Sequence, residues 1–161
     1  MEMEMEMEME MEMEMEMEKT YHGQCLCGEV TIKATQLDHK MGACHCSKCR
    51  KWGAGPFLGV DCGSAVTFTH PELISTFDSS DWAERGFCKN CGTHLFYRLK
   101  GNNQHIVPID LFDFDSSDLK EAIVFDHQIF VDEKPGYYSF SETTHNMTGA
   151  EVFAQFAPTV E

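Results

Sequence analysis

Positive charge is scarce in this chain, and so are long apolar runs. Twelve Lys and Arg stand against 27 Asp and Glu, for a formal charge of −15, or −6 once nine glutamates of an N-terminal repeat are set aside. No basic stripe tracks along the sequence, so a nucleic-acid partner is excluded as an expectation. No apolar stretch approaches the ~18 residues needed to cross a bilayer, so no membrane partner is expected either. The first residues offer neither the basic region nor the apolar core of a secretory signal. Eight cysteines without such a signal point to a reducing compartment, the cytoplasm, where clustered thiols more often hold metal than form disulfides.

Methionine is nearly missing beyond residue 18: nine of its eleven copies sit in the Met-Glu pairs of residues 1–18. Strict alternation of period two superficially suggests a strand. Met and Glu are instead good helix formers, and nine like charges without countercharge repel one another in either form. Residues 1–18 are therefore expected to be a disordered or fraying tail, and residues 19–161 one domain with a real hydrophobic core.

From Tyr21 onward, short stretches rich in Val, Ile, Phe, Thr and Tyr alternate with turn chemistry. Strands are expected at residues 30–34, 56–60, 66–69, 73–77, 94–99, 105–108 and 124–130. The domain thus reads as mainly β. Two helical pieces are expected, a short turn at residues 47–52 and a structural helix at 149–157. The second carries a capping box in Thr148 and Glu151, a hydrophobic staple in Met147 and Val152, an apolar stripe of Val152, Phe153 and Phe156, and a stop at Pro158.

Seven cysteines fall into three tight groups: Cys25 and Cys27 in CLC, Cys44, Cys46 and Cys49 in CHCSKC, and Cys88 and Cys91 in CKNC. A C-x-x-C or C-x-C turn can aim two sulfurs at one tetrahedral zinc ion. The outer groups offer two sulfurs each, and joining them closes a loop of about sixty residues, which supplies order to a domain without disulfides. That site is read as saturated and structural. The middle group offers three sulfurs on one segment and leaves the fourth corner for water or substrate, the arrangement of catalytic zinc, which accepts soft sulfur well. Strained disulfides and one site shared by all three groups remain alternatives. So does Cys62 as a fourth ligand of the trio, against its reading as a buried thiol.

The segments GQCLCGEV (23–30), ACHCSKCRKWGAGPF (43–57), RGFCKNCGTHLFY (85–97), IDLFD (109–113) and HQIFVDEKPGYYSF (127–140) resemble, in order, those of the glutathione-dependent formaldehyde-activating family, which includes the centromere protein V domain. The resemblance implies a β-tent fold of small packed antiparallel sheets pinched together by zinc. It implies two zinc ions per chain: one structural, on Cys25, Cys27, Cys88 and Cys91, and one catalytic, on Cys44, Cys46 and Cys49. The implied activity is that of a carbon–sulfur lyase, joining glutathione and formaldehyde into S-hydroxymethylglutathione or running the reverse. Tyr137-Tyr138 departs from the single Trp frequent in the family, which bears on the pocket wall.

Beside the trio, Lys48, Arg50 and Lys51 could offset the charge of three thiolates around one divalent ion. Arg50 could equally hold a glutathione carboxylate, for which its planar fork is suited. The alternative for all three is an exposed basic turn without a role. A proton must reach or leave the substrate hydroxyl, and His45, His22 and His94 are candidate relays, set against the commoner packing role of a histidine near a metal loop. Trp52 and Phe57 read as core, and Gly53 and Gly55 as tight turns beside the metal. Two rivals remain: a lyase acting on a different thiol conjugate, and a non-catalytic zinc module that binds a protein partner, which a trio closed by Cys62 would favour.

Overall fold

The computed structural model describes residues 2–9, 20–113 and 119–156. Residues 2–9 form a helix, α1, whose side chains are all exposed. Helix is the form that Met and Glu propensities favour. The rest is mainly β, as expected: eleven strands in two sheets among the described residues, neither of them a closed barrel.

The smaller sheet has the order β1–β2–β5, with β1 at Tyr21–Gln24, β2 at Thr31–Ala34 and β5 at Val66–Phe68. The larger has eight strands. At its centre β3 (Lys40–Cys44), β4 (Phe57–Asp61), β9 (Gln104–Pro108) and β8 (His94–Leu99) lie side by side. On one flank β7 (Ala83–Cys88) and β6 (Ile74–Asp78) follow β8; on the other, β10 (Val124–Ile129) and β11 (His145–Met147) follow β3. Most neighbours run antiparallel, but β10 is parallel to both β3 and β11.

All seven expected strands are present within a residue or two of their expected ends. The strands not foreseen are β1, β3, β7 and β11. Each is short of β-branched residues or broken by Gly or charge, and each owes its form to its neighbours. Strand β3, KMGAC, is held between β4 and β10, and Ala43 in it is fully buried. Tertiary pairing here overrides weak local propensity. The core between the sheets collects Val30, Ile32, Ala34, Val60, Leu95, Phe96 and Val107.

Helix α2 spans Ser47–Gly53, a short α3 spans Leu119–Ala122 and α4 spans Gly149–Phe156. The capping box of α4 forms as read: Glu151 N–H donates to Thr148 Oγ1 at 3.2 Å, and Thr148 N–H to Glu151 Oε1 at 2.9 Å. Ala157 and Pro158, the expected end and stop of that helix, lie outside the described residues.

Candidate metal centres and the adjoining pocket

Cys25 and Cys27 sit in the turn between β1 and β2; Cys88 closes β7, and Cys91 lies in the turn to β8. Both turns are tight and end on a glycine in the left-handed region, Gly28 at φ 82° and Gly92 at φ 78°, where a side chain would be strained. Gly92 N–H donates to Cys88 O at 2.8 Å, and Val30 N–H to Cys25 Sγ at 3.4 Å. The second turn is tied to the first by Thr93, whose Oγ1 accepts from Leu26 N–H at 3.0 Å and lies 3.1 Å from Cys91 Sγ. The Thr93 hydroxyl pulls the Cys91 thiol down to about 5. All four sulfurs lie within 4.8 Å of one another. Four sulfurs about 2.3 Å from one zinc stand about 3.8 Å apart at tetrahedral corners. Cys25 to Cys27 at 3.5 Å and Cys27 to Cys88 at 3.9 Å straddle that spacing. Donor type and geometry fit a metal ion.

The second cluster is local. Cys44 ends β3, Cys46 caps α2, and Cys49 lies one turn inside it. Cys46 takes the place of the usual Ser or Asp at a helix start: its sulfur accepts from Cys49 N–H at 3.3 Å. Glu133 Oε1 accepts from the Ser47 N–H at 3.0 Å and so helps to fix the same helix end. These contacts bring three sulfurs within 4.8 Å. Crowding shows in their acidity: hydrogen bonds with Cys46 and Cys49 push Cys44 up, while those from Cys44 and Cys49 pull Cys46 down. Three thiols this close ionise together only around a cation, so this donor set also could hold a metal ion.

Cys62 joins neither cluster among the described residues. It is fully buried in the hydrophobic core, and burial pushes its thiol up to about 12. The trio therefore receives no fourth sulfur from it.

A pocket of about 480 Å³ lies against the same helix, lined by Arg50, Lys51, Ala54, Gly55, Pro56, Tyr137 and Tyr138. Arg50 is held in place by a bond from its Nε to His45 O at 2.9 Å. Lys48 turns elsewhere, with its Nζ 3.0 Å from Ser79 O and 5.7 Å from the centre of the Trp82 ring. The basic cluster seen in the sequence thus divides: two cations on the pocket, one away from it.

The three histidines separate as sharply. His22 lies on β1 and its ring meets Thr20. His94 stacks on Trp52, with centroids 3.8 Å apart and planes 5° apart, and burial lowers its pKa. His45, between two ligand candidates, is fully buried and bonded at both nitrogens. Gln128 Nε2 donates to Thr144 Oγ1 at 2.9 Å, so its Oε1 is the acceptor for His45 Nε2–H at 2.8 Å. His45 Nδ1 then carries the lone pair, and Tyr138 O–H donates to it at 2.7 Å. One chain of polar groups leads from the pocket wall to a buried imidazole.

Arg85 is the residue that the sequence did not disclose. It lies on β7, opposite Tyr97 of β8, and is only 4% exposed. Its guanidinium carbon stands 4.9 Å from the ring centres of both Trp52 and Tyr97. Both terminal nitrogens donate to Cys49 Sγ, at 3.7 and 3.6 Å. Trp52, expected in the core, is thus also one wall of this cation's slot. No spacing rule links residue 85 to residue 49; the only signal was an Arg in a cysteine-bearing segment.

The two sheets, the two cysteine clusters and the basic pocket define a mainly-β protein with two sites that could hold metal ions. Residues 20–133 match the profile of the glutathione-dependent formaldehyde-activating enzyme family, and the chain belongs to that family. A relative described as an uncharacterised lyase of Schizosaccharomyces pombe is 37% identical over 133 residues, which cover 82% of this chain and 93% of the relative. The crystal structure of a Rhodobacter sphaeroides protein is similar with a TM-score of 0.49 at 23% identity, covering 56% of this chain and 85% of that one. No described helix is long and apolar enough to cross a membrane.

Proposed function

We propose that this chain is a zinc-dependent carbon–sulfur lyase of thiol–aldehyde adducts, acting as an S-(hydroxymethyl)glutathione synthase or in the reverse direction. Family membership and the lyase relative support the reaction class. The observation that carries the reading is a three-sulfur cluster whose helix also lines a basic, aromatic pocket. A zinc ion held by the trio supplies a Lewis acid with an affinity for soft sulfur and lowers the pKa of a thiol.

The chain's own residues do the rest. Cys44, Cys46 and Cys49 would hold the zinc ion, and as only three protein ligands they would leave it able to take a substrate sulfur. Arg50 and Lys51 face the pocket and hold a glutathione carboxylate, Arg50 oriented by its bond to the His45 carbonyl. In cleavage, the carbon–sulfur bond breaks with its electron pair going to sulfur, and the hydroxyl oxygen becomes the aldehyde carbonyl as it loses its proton. Tyr138 takes that proton on its oxygen while passing its own to His45 Nδ1 along the 2.7 Å bond. In synthesis the same steps run backwards. His22 and His94 are left without this role, one by position and one by its stack.

The test is direct. Purified protein is given glutathione and formaldehyde, and hemithioacetal exchange is followed by NMR. Cys49→Ser is expected to retain the fold, lose one of two bound zinc ions and lose the exchange. An exchange rate no faster than the uncatalysed one in wild-type protein, with glutathione or any other thiol, sinks the enzyme reading and favours a binding module.

A further inference from the structure

Arginine stays protonated in proteins, and a buried cation must have its charge met. Arg85 is buried, yet among the described residues no carboxylate pairs with it. Its Nε is buried without a hydrogen-bond partner, and its two other nitrogens converge on one sulfur, Cys49 Sγ. Rings of Trp52 and Tyr97 hold the plane of the guanidinium and keep water from it. Among the described residues, the only source of negative charge in this arrangement is the three-cysteine cluster, ionised around a metal ion.

We propose that Arg85 is the counter-charge of the three-cysteine cage and sets the charge of the ligand that the free corner accepts. Three thiolates around a divalent ion carry one surplus negative charge, and the guanidinium cancels it. A thiol would enter as its thiolate, its proton passing to solvent, and would meet a neutral assembly instead of an anionic one; no electron is transferred. Arg85 acts through Cys49 and not on the substrate, so it is a positioning residue. It selects anionic sulfur over neutral ligands such as water. This rests on the proposed zinc chemistry of the trio, but not on the identity of the aldehyde or of the thiol.

The probe is 2-mercaptoethanol, a thiol without a carboxylate, so that Arg50 and Lys51 do not contribute. Wild-type protein, R85K, R85Q and R85M are loaded with cobalt(II), and the sulfur-to-cobalt absorption is titrated with the thiol. Loss of an outer partner to a metal ligand typically costs about 10–100-fold in metal affinity. R85M and R85Q are expected to need about 10–100-fold more thiol than wild type and to release the trio's metal to a chelator faster by a similar factor. R85K, which keeps the charge, is expected to fall between. The absorption of the four-sulfur site serves as the fold control, and R85Q stands in if R85M does not fold. Thiol affinity in R85Q equal to that of wild type overturns the proposal. The titration contains no aldehyde, so a wild-type protein that binds the thiol but turns over no adduct rejects the proposed activity and leaves this inference standing.

Discussion

Tyr138 and His45 show how much rests on single atoms. The Tyr138 hydroxyl donates a hydrogen bond to a fully buried imidazole nitrogen that has no other partner among the described residues. Tyr138→Phe leaves that nitrogen unmet, at a cost of about 1–3 kcal/mol, which thermal denaturation will read. If the hydroxyl also carries the proton of the reaction, kcat falls about a hundredfold or more while zinc content and the KM for thiol hold. A variant with normal kcat assigns Tyr138 to structure alone. Cys62 gives the converse test. Its burial and its absence from both clusters predict that Cys62→Ala keeps two zinc ions per chain and loses only core packing. Loss of a metal equivalent would return Cys62 to the trio. At this scale the ligand candidates were legible because turn geometry forces them to lie close in sequence. Arg85 was not, because a strand-to-helix contact spanning 36 positions leaves no periodic trace.

Elements were legible where propensity and packing agree. Strands such as β2 alternate buried and exposed residues with β-branched side chains, and α4 announces its own start. Strands β3 and β7 contain Gly and charge and exist because their neighbours pair with them, which local reading cannot see. Thr148→Ala removes the hydroxyl that caps α4 and should cost about 1 kcal/mol in chemical denaturation. Strand β9 carries a titratable hazard. His105 is buried, its Nδ1–H donating to Asn103 O at 3.0 Å, and burial lowers its pKa below the ordinary 6.5. The unfolded chain therefore binds the proton more readily than the folded one. The stability that neutral His105 contributes is complete above pH 6.5 and is lost as pH falls from there through the lowered folded value. His105→Gln should flatten that part of the decline, seen as a shallower slope of stability against pH in the variant than in wild type, above the pH where the proposed zinc would dissociate. An unchanged slope between pH 7.5 and 5 would show that His105 protonates as easily folded as unfolded.

Across the whole molecule, the two cysteine clusters sit in different mechanical positions. The four-sulfur cluster bridges the sheets: two of its cysteines follow β1 of the small sheet and two come from the end of β7 and the turn beyond it in the large one. The trio spans only the step from β3 into α2. A metal ion in the first would close a long loop and hold two layers; one in the second would fasten a six-residue segment whose first residue already pairs with β4 and β10. Metal loss should therefore have unequal consequences. Cys88→Ser removes a fully buried sulfur at the sheet junction and is expected to abolish cooperative unfolding or to lower Tm by tens of degrees, since the binding energy of a structural zinc is largely folding energy. Cys44→Ser is expected to lower Tm by only a few degrees and to leave the far-UV spectrum intact while one zinc equivalent is lost. Graded chelation of the wild-type protein should reproduce the order, with the trio emptying first, because three ligands hold an ion less tightly than four. Equal losses of stability in the two variants would mean that the trio also holds the layers together, and the division between a fold-bearing and a working site would have to be abandoned.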